Sequence, residues 1–142
     1  MNQRTFALVK SGAVSRGSVP RILDIIRAGG LEIVREEAVV PLSLDVAKQL
    51  YCGKEDMPYW TILMVSVTGS SGVYAMVLEG PDAVKKWRAM MGASKCDGSP
   101  TWRDTIRGRF GGPGEADNAV HGSDSPEAAE REIELFFPCV KH

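Results

Sequence analysis

The chain has 142 residues, 44% of them hydrophobic and 25% charged, with a formal net charge of −1. That length supports one domain with a proper core, and the balanced charge excludes a general nucleic-acid or membrane surface, either of which needs a basic excess. The longest apolar stretch, Ile62 to Val67, is interrupted by Ser66 and is far too short to span a bilayer.

Met1-Asn2-Gln3-Arg4 leads directly into a strand pattern with no apolar signal region, so the cytoplasm is the expected compartment. Cys52, Cys96 and Cys139 are an odd set without C-x-x-C spacing and read as free thiols. Thr5 to Val9 is a short apolar run between Arg4 and Lys10 and predicts a buried strand. Ser11-Gly12-Ala13 reads as a turn. Ser18 then caps a helix with Pro20 in its first turn and a Gly29-Gly30 stop. Leu31 to Val40 predicts a second strand, ended by Pro41.

Ser43 opens a helix through Val46, Ala47, Leu50 and Tyr51 that stops at Gly53. Met57-Pro58-Tyr59-Trp60 is a loop entering a helix through Ile62, Leu63 and Val67. Gly69 to Gly72 turns into the strand Val73 to Leu78, and Asp82 starts a helix closed by Gly92. Ala93 to Asp104 is polar and irregular, Thr105 to Gly108 predicts one helical turn, and Gly111 to Gly114 a loop. Ala119-Val120 then reads as the end of a short buried strand that delivers His121, followed by a glycine turn. Ser125-Pro126-Glu127 starts the last helix, which ends at Phe136-Phe137-Pro138. The order is β-α-β-β-α-β with additional helices, a ferredoxin-like α+β fold with an antiparallel four-stranded sheet, forming a single domain over residues 1–142.

His121, fixed at a strand-to-helix corner, is either structural or reactive. Glu132 lies on the inward stripe of Ala129, Ile133, Phe136 and Phe137. A carboxylate there needs a partner: either the nearby imidazole, or a lysine or arginine at the edge of the stripe. Lys10, Arg88 and Arg107, each alone a common surface charge, together with the Ser94 and Thr105 hydroxyls would suit a polyphosphate. Neither G-x-x-x-x-G-K-[ST] nor G-x-G-x-x-G is present, so side chains would have to hold the phosphates. Tyr59 and Trp60 offer a ring on which a base could stack, or else they anchor the core.

From Arg4 to Pro138 the sequence resembles the nucleoside diphosphate kinases. The most specific match is the block Asn118-Ala119-Val120-His121-Gly122-Ser123-Asp124-Ser125 followed by Glu132. Supporting matches are Arg4 to Lys10, Ala75 to Gly80, Arg88 to Gly92 and Thr105 to Phe110. Trp87-Arg88, the long loop after Gly92 and the Phe136-Phe137-Pro138 ending are most similar to the divergent group of the family.

The resemblance implies transfer of the γ-phosphate of an NTP to an NDP by a ping-pong route in which His121 becomes phosphorylated. It implies that Glu132 and Ser123 orient the ring, and that Lys10 acts in catalysis. Lys10, Tyr51, Arg88, Ser94 (threonine in the family), Arg107 and Asn118 would bind phosphates and ribose. Tyr59 would stack on the base, with Leu63 beside it. Mg²⁺ is expected on the nucleotide's phosphates with no protein metal cage, and a homo-oligomer, a hexamer, is the expected assembly. The alternative is a divergent, weakly active or inactive paralogue that serves as a nucleotide-binding scaffold. Single-stranded nucleic-acid binding has little support at this net charge.

Three stretches differ from the family pattern. Ser11-Gly12-Ala13 replaces Pro-Asp-Gly after the strand lysine. The loop from Lys95 to Asp104 is longer and has Cys96 where a proline is usual. Gly111 to Asp117 is glycine-rich and acidic where the family places an apolar residue opposite the base.

Overall fold

The computed structural model describes residues 2–112 and 117–138. Cys139, part of the Gly111–Gly114 loop and Glu115 lie outside the described residues. The elements are β1 (Asn2–Val9), α1 (Ser11–Ser15), α2 (Val19–Ala28), β2 (Glu32–Val39), α3 (Leu44–Leu50), α4 (Trp60–Val67), β3 (Val73–Pro81) and α5 (Ala83–Met91). A 3₁₀ turn (Trp102–Asp104), α6 (Ile106–Phe110), β4 (Val120–Gly122) and α7 (Pro126–Phe136) follow.

The four strands form one sheet in the order β2-β3-β1-β4 with every pair antiparallel, the expected ferredoxin-like arrangement. β1 and β3 are central and therefore buried on both faces, which explains their continuous apolar runs. Their side chains divide by parity. Ala7, Val9, Met76 and Leu78 join Ile22 and Ile26 of α2 and Trp87 and Met91 of α5. Phe6, Leu8, Ala75 and Val77 face the other way, onto Ala47 and Leu50 of α3, Val67 of α4 and Phe137 after α7.

Ser11-Gly12-Ala13 is not a turn. It opens α1, with the Val14 N–H on the Lys10 carbonyl at 3.0 Å and Arg16 N–H on Gly12 at 3.1 Å. Ser11 and Ala13 are buried, and a Cβ on Gly69 would come within 2.8 Å of the Ser11 Cβ, so close packing at the end of α4 decides the local conformation over propensity. Ser18 precedes α2 but its side chain caps nothing, because its own backbone is already helical. Asp82 likewise gives no cap; the Val84 N–H is satisfied across the fold by Gln3 Oε1 at 2.9 Å. Ser43, Thr105 and Ser125 do cap α3, α6 and α7.

Candidate active site

His121 lies in the middle of β4, not after a strand that ends at Val120. Ala119 takes φ 72°, and the Val120 N–H bonds the Asn118 carbonyl at 2.8 Å, so a γ-turn occupies the place where the sequence pattern suggests strand. The Ala119 carbonyl accepts the Lys10 N–H at 2.8 Å. From there the strand alternates. Val120 enters the α2/α5 core, His121 faces Phe6 and Tyr51 on the opposite side, and Gly122 lies over Trp87. A Cβ at position 122 would stand 2.5 Å from Trp87 Cδ1 and 2.9 Å from Met91 Sδ, so glycine is required by contact.

β4 is an edge strand, and the two carbonyls it turns away from β1, those of Val120 and Gly122, are covered by side chains rather than by another strand, while the His121 carbonyl, which faces β1, also receives a side chain. Val120 O accepts from Arg107 at 3.1 Å, His121 O from the Trp87 indole at 3.2 Å, and Gly122 O from Arg88 at 3.4 Å. α5 and α6 thus hold the histidine's backbone while presenting two guanidinium groups beside it.

The ring is held from the other side by α7. Pro126 begins this helix, and the Ser125 hydroxyl caps it by accepting the Ala128 N–H at 3.1 Å, which places Glu132 two turns in, facing inward. Glu132 is 3% exposed and its Oε1 lies 2.7 Å from His121 Nε2. The buried Ser123 hydroxyl donates to the same oxygen at 3.0 Å, and Arg131 reaches Oε2 at 3.5 Å. Of the two partners open to Glu132, the imidazole makes the short contact and a cation the longer one.

An ionised carboxylate only accepts, so Nε2 carries the ring proton and Nδ1 keeps its lone pair. Burial lowers the His121 pKa below its ordinary value, Glu132 partly opposing this, and Lys10 and Arg107 add to the lowering. The imidazole is therefore a neutral base near pH 7.

Lys10 ends β1 with its ammonium 2.9 Å from Asn118 Oδ1. Its pKa is lowered to about 7, first by burial and then by Arg107, with Asp117 acting in the opposite sense. Arg107 is pulled down to about 10 by burial and then by Arg88, and it stays protonated at neutral pH. Besides Val120 it binds the Gly92 carbonyl at 3.1 Å, and its buried Nε has no partner among the described residues. Tyr51 packs edge-on to the His121 ring, 5.2 Å between centroids, with its buried hydroxyl likewise unpartnered. Burial and the nearby Glu132 raise its pKa.

Lys10, Tyr51, Tyr59, Leu63, Arg88, Ser94, Arg107, Asn118, His121 and Glu132 all line one cleft of about 750 Å³. Ser123 is buried behind Glu132 rather than lining it. One expectation fails, and one left open is decided. Thr105 does not offer its hydroxyl to the cleft: it donates to Trp102 O at 2.6 Å and accepts the Gly108 N–H at 3.1 Å, as a helix cap. Trp60 packs into the α3/α4/α7 core, leaving Tyr59 alone on the rim.

The cleft also includes Lys54, Ile62, Asp124 and Arg131, which the sequence pattern did not single out. Arg131 bonds the Gln49 carbonyl at 2.6 Å and so ties α7 to the end of α3. Lys54 and Ile62 flank Tyr51 and Tyr59 in sequence, a neighbourhood that could have pointed to them. For the Trp87 indole no signal existed, since its partner is a backbone carbonyl 34 residues away.

A shielded imidazole, three clustered cations and a rim aromatic line one cleft, a set whose charge and shape suit a polyphosphate on a ring-bearing group. Comparison with known proteins agrees with that chemistry. The family model described as nucleoside diphosphate kinase matches residues 3–141. The chain is 40% identical to the nucleoside diphosphate kinase of Deinococcus radiodurans over 95% of this chain and 94% of that one. Its identity to the Rhodococcus erythropolis nucleoside diphosphate kinase is 41%, over 99% and 98% of the two chains. Among solved structures, the Aquifex aeolicus nucleoside diphosphate kinase superposes with a TM-score of 0.85 at 31% identity, over 96% of each chain. The halophilic enzyme from Halobacterium salinarum, in complex with CDP, gives 0.84 at 38% identity, over 96% of this chain and 88% of that one. With sequence, fold and site in agreement, the chain belongs to the nucleoside diphosphate kinase family.

Proposed function

We propose that this chain transfers the γ-phosphate of a nucleoside triphosphate to a nucleoside diphosphate through phospho-His121. The observation that carries the proposal is His121 lining the cationic cleft while its Nε2 is held at 2.7 Å by a buried carboxylate. Nδ1 attacks the γ-phosphorus; the Nδ1–P bond forms, the bridging P–O bond breaks, and the diphosphate leaves. A second diphosphate then attacks the phosphoryl group from its terminal oxygen and restores the free imidazole. Lys10, Arg88 and Arg107 neutralise the charge that builds on the transferred group, and Glu132 with Ser123 keeps the ring in its reactive tautomer. Tyr51 and Asn118 border the phosphate and ribose positions with Ser94, and Tyr59 with Leu63 receives the base.

Among the described residues no three His, Cys, Asp or Glu side chains are grouped as a metal cage. Asp124 is an exposed carboxylate lining the cationic cleft, and this donor set fits a Mg²⁺ that enters on the nucleotide's own phosphate oxygens. Bound there, Mg²⁺ supplies further charge neutralisation.

A nucleotide-binding role without turnover drew its support from the altered Ser11-Gly12-Ala13 turn. With α1 formed and Lys10 directed at Asn118, the ordered lysine favours turnover over that role. A cytosolic location accords with Cys52 and Cys96, both free and exposed. A homo-oligomer, up to a hexamer, belongs to the same reading; the open edge of β2 and the exposed Val40 and Leu44 support it, and sedimentation velocity measures it.

The test is a coupled assay with ATP and several diphosphates, together with radiolabelled ATP to trap the intermediate. Turnover and an acid-labile, alkali-stable label are expected, both abolished in His121→Ala. ADP binding with neither label nor turnover, across Mg²⁺ concentrations, would reject the proposal.

A further inference from the structure

Two of the stretches that depart from the family pattern meet in space. Arg16, just past α1, grips Asp117 with both terminal nitrogens: Nη1 bonds Oδ2, and Nη2 lies 3.0 Å from Oδ1. Nη2 also donates to the Phe110 carbonyl at the end of α6 at 2.6 Å. The Gly112 N–H closes the same junction on the Asp117 carbonyl at 2.7 Å. Both glycines beside it are there for space. A Cβ on Gly12 would stand 2.5 Å from Asp117 Oδ1, and one on Gly112 would stand 2.1 Å from Oδ2.

Each segment tied by this junction carries one group of the phosphate end of the cleft. α1 follows Lys10 directly, α6 contains Arg107, and Asp117 precedes Asn118, whose side chain holds the Lys10 ammonium. We propose that the Arg16–Asp117 pair is a positioning device for the phosphate-binding end of the site, fixing the spacing of Lys10, Arg107 and Asn118.

The electrostatics are consistent with that spacing. The charged groups acting on Lys10 are Arg107 from α6 and Asp117 from the segment entering β4, and Lys10 in turn acts on His121 of β4. Asp117 is the acid that opposes burial and Arg107 there.

The consequence for turnover rests on the phosphotransfer reading above, so the experiment has an arm that does not need turnover. The full chain carrying ¹³C-labelled lysine is titrated by NMR without nucleotide, as wild type, Asp117→Asn and Arg16→Gln. The Lys10 midpoint should fall in Asp117→Asn, where the acid is neutralised, and fall also in Arg16→Gln, where the carboxylate is no longer held in place. Loss of the Arg16 charge alone, with Asp117 still in position, would raise the midpoint instead.

In the exchange assay, nucleotide KM should rise severalfold in both variants at every pH, because the spacing of Lys10, Arg107 and Asn118 is lost, while kcat changes less. An unchanged midpoint in Asp117→Asn, a raised midpoint in Arg16→Gln, or wild-type KM in both variants would overturn the proposal. Midpoints that fall in both variants of a chain showing no exchange would leave this proposal standing and reject the reaction instead.

Discussion

Replacing Glu132 by glutamine keeps the side chain's shape and removes its charge, which isolates what the carboxylate does for the ring. In the native site one oxygen accepts from His121 at 2.7 Å and from Ser123 at 3.0 Å, at a residue that is 3% exposed. A hydrogen bond to a charged group contributes about 1.5–3 kcal/mol net, so losing the charge behind the His121 contact alone is worth about 10- to 150-fold in rate. Glutamine adds a second effect. Its NH₂ can donate to Nε2, which moves the ring proton to Nδ1 and removes the nucleophilic lone pair. We expect kcat for ATP–NDP exchange to fall on the order of 10²-fold or more, while the equilibrium affinity for ADP changes by less than about threefold because Lys10, Arg88 and Arg107 are untouched. Because Glu132 raises the His121 pKa against the larger effect of burial, the acid limb of the remaining activity should also move to lower pH. Stopped-flow turnover and calorimetric ADP binding measure the two quantities separately. A Glu132→Gln enzyme with wild-type kcat, or one whose loss is entirely in ADP affinity, would refute the orienting role.

Gly122→Ala drives a methyl to within 2.5 Å of Trp87, a side chain with no exposure, so overpacking should cost about 1–3 kcal/mol in urea unfolding. Trp87 fluorescence should change with it, since the indole must leave the His121 carbonyl; an unshifted midpoint would show that the strand yields freely. Lys10 gives up its proton near pH 7 when folded but near its ordinary value of 10.5 when unfolded, so in between the unfolded chain binds more protons. The nucleotide-free protein should therefore become more stable as pH rises from about 7 toward 10, and Lys10→Met should lose that slope. Urea midpoints at several pH values decide it, and parallel curves for the two proteins would contradict the buried-lysine account.

The order of strands and helices was legible because central strands leave near-continuous apolar runs and the capping residues Ser43, Thr105 and Ser125 act through neighbours three residues away. Glu132 was legible for a related reason: a carboxylate on an apolar helical stripe has to be explained by a partner. The positions that misled are those where a distant group replaces a local signal. Ser18 and Asp82 look like caps, yet α2 has no side-chain cap and α5 takes one from Gln3. Ser11-Gly12-Ala13 looks like a turn, yet its small buried residues pack as a helix. Thr105 looks like a phosphate hydroxyl, yet its own backbone claims it.

The sequence alone therefore determined the fold class, the family and which imidazole is proposed to react, because periodicity, caps and a rare eight-residue block are properties of neighbouring residues. Only the tertiary structure decided how that group is held. The γ-turn at Ala119, the three β4 carbonyls covered by Arg107, Trp87 and Arg88, and the Arg16–Asp117 junction join residues far apart in the chain. Their energies depend on distance in space and on exclusion of water, and neither quantity is encoded in any single stretch of residues.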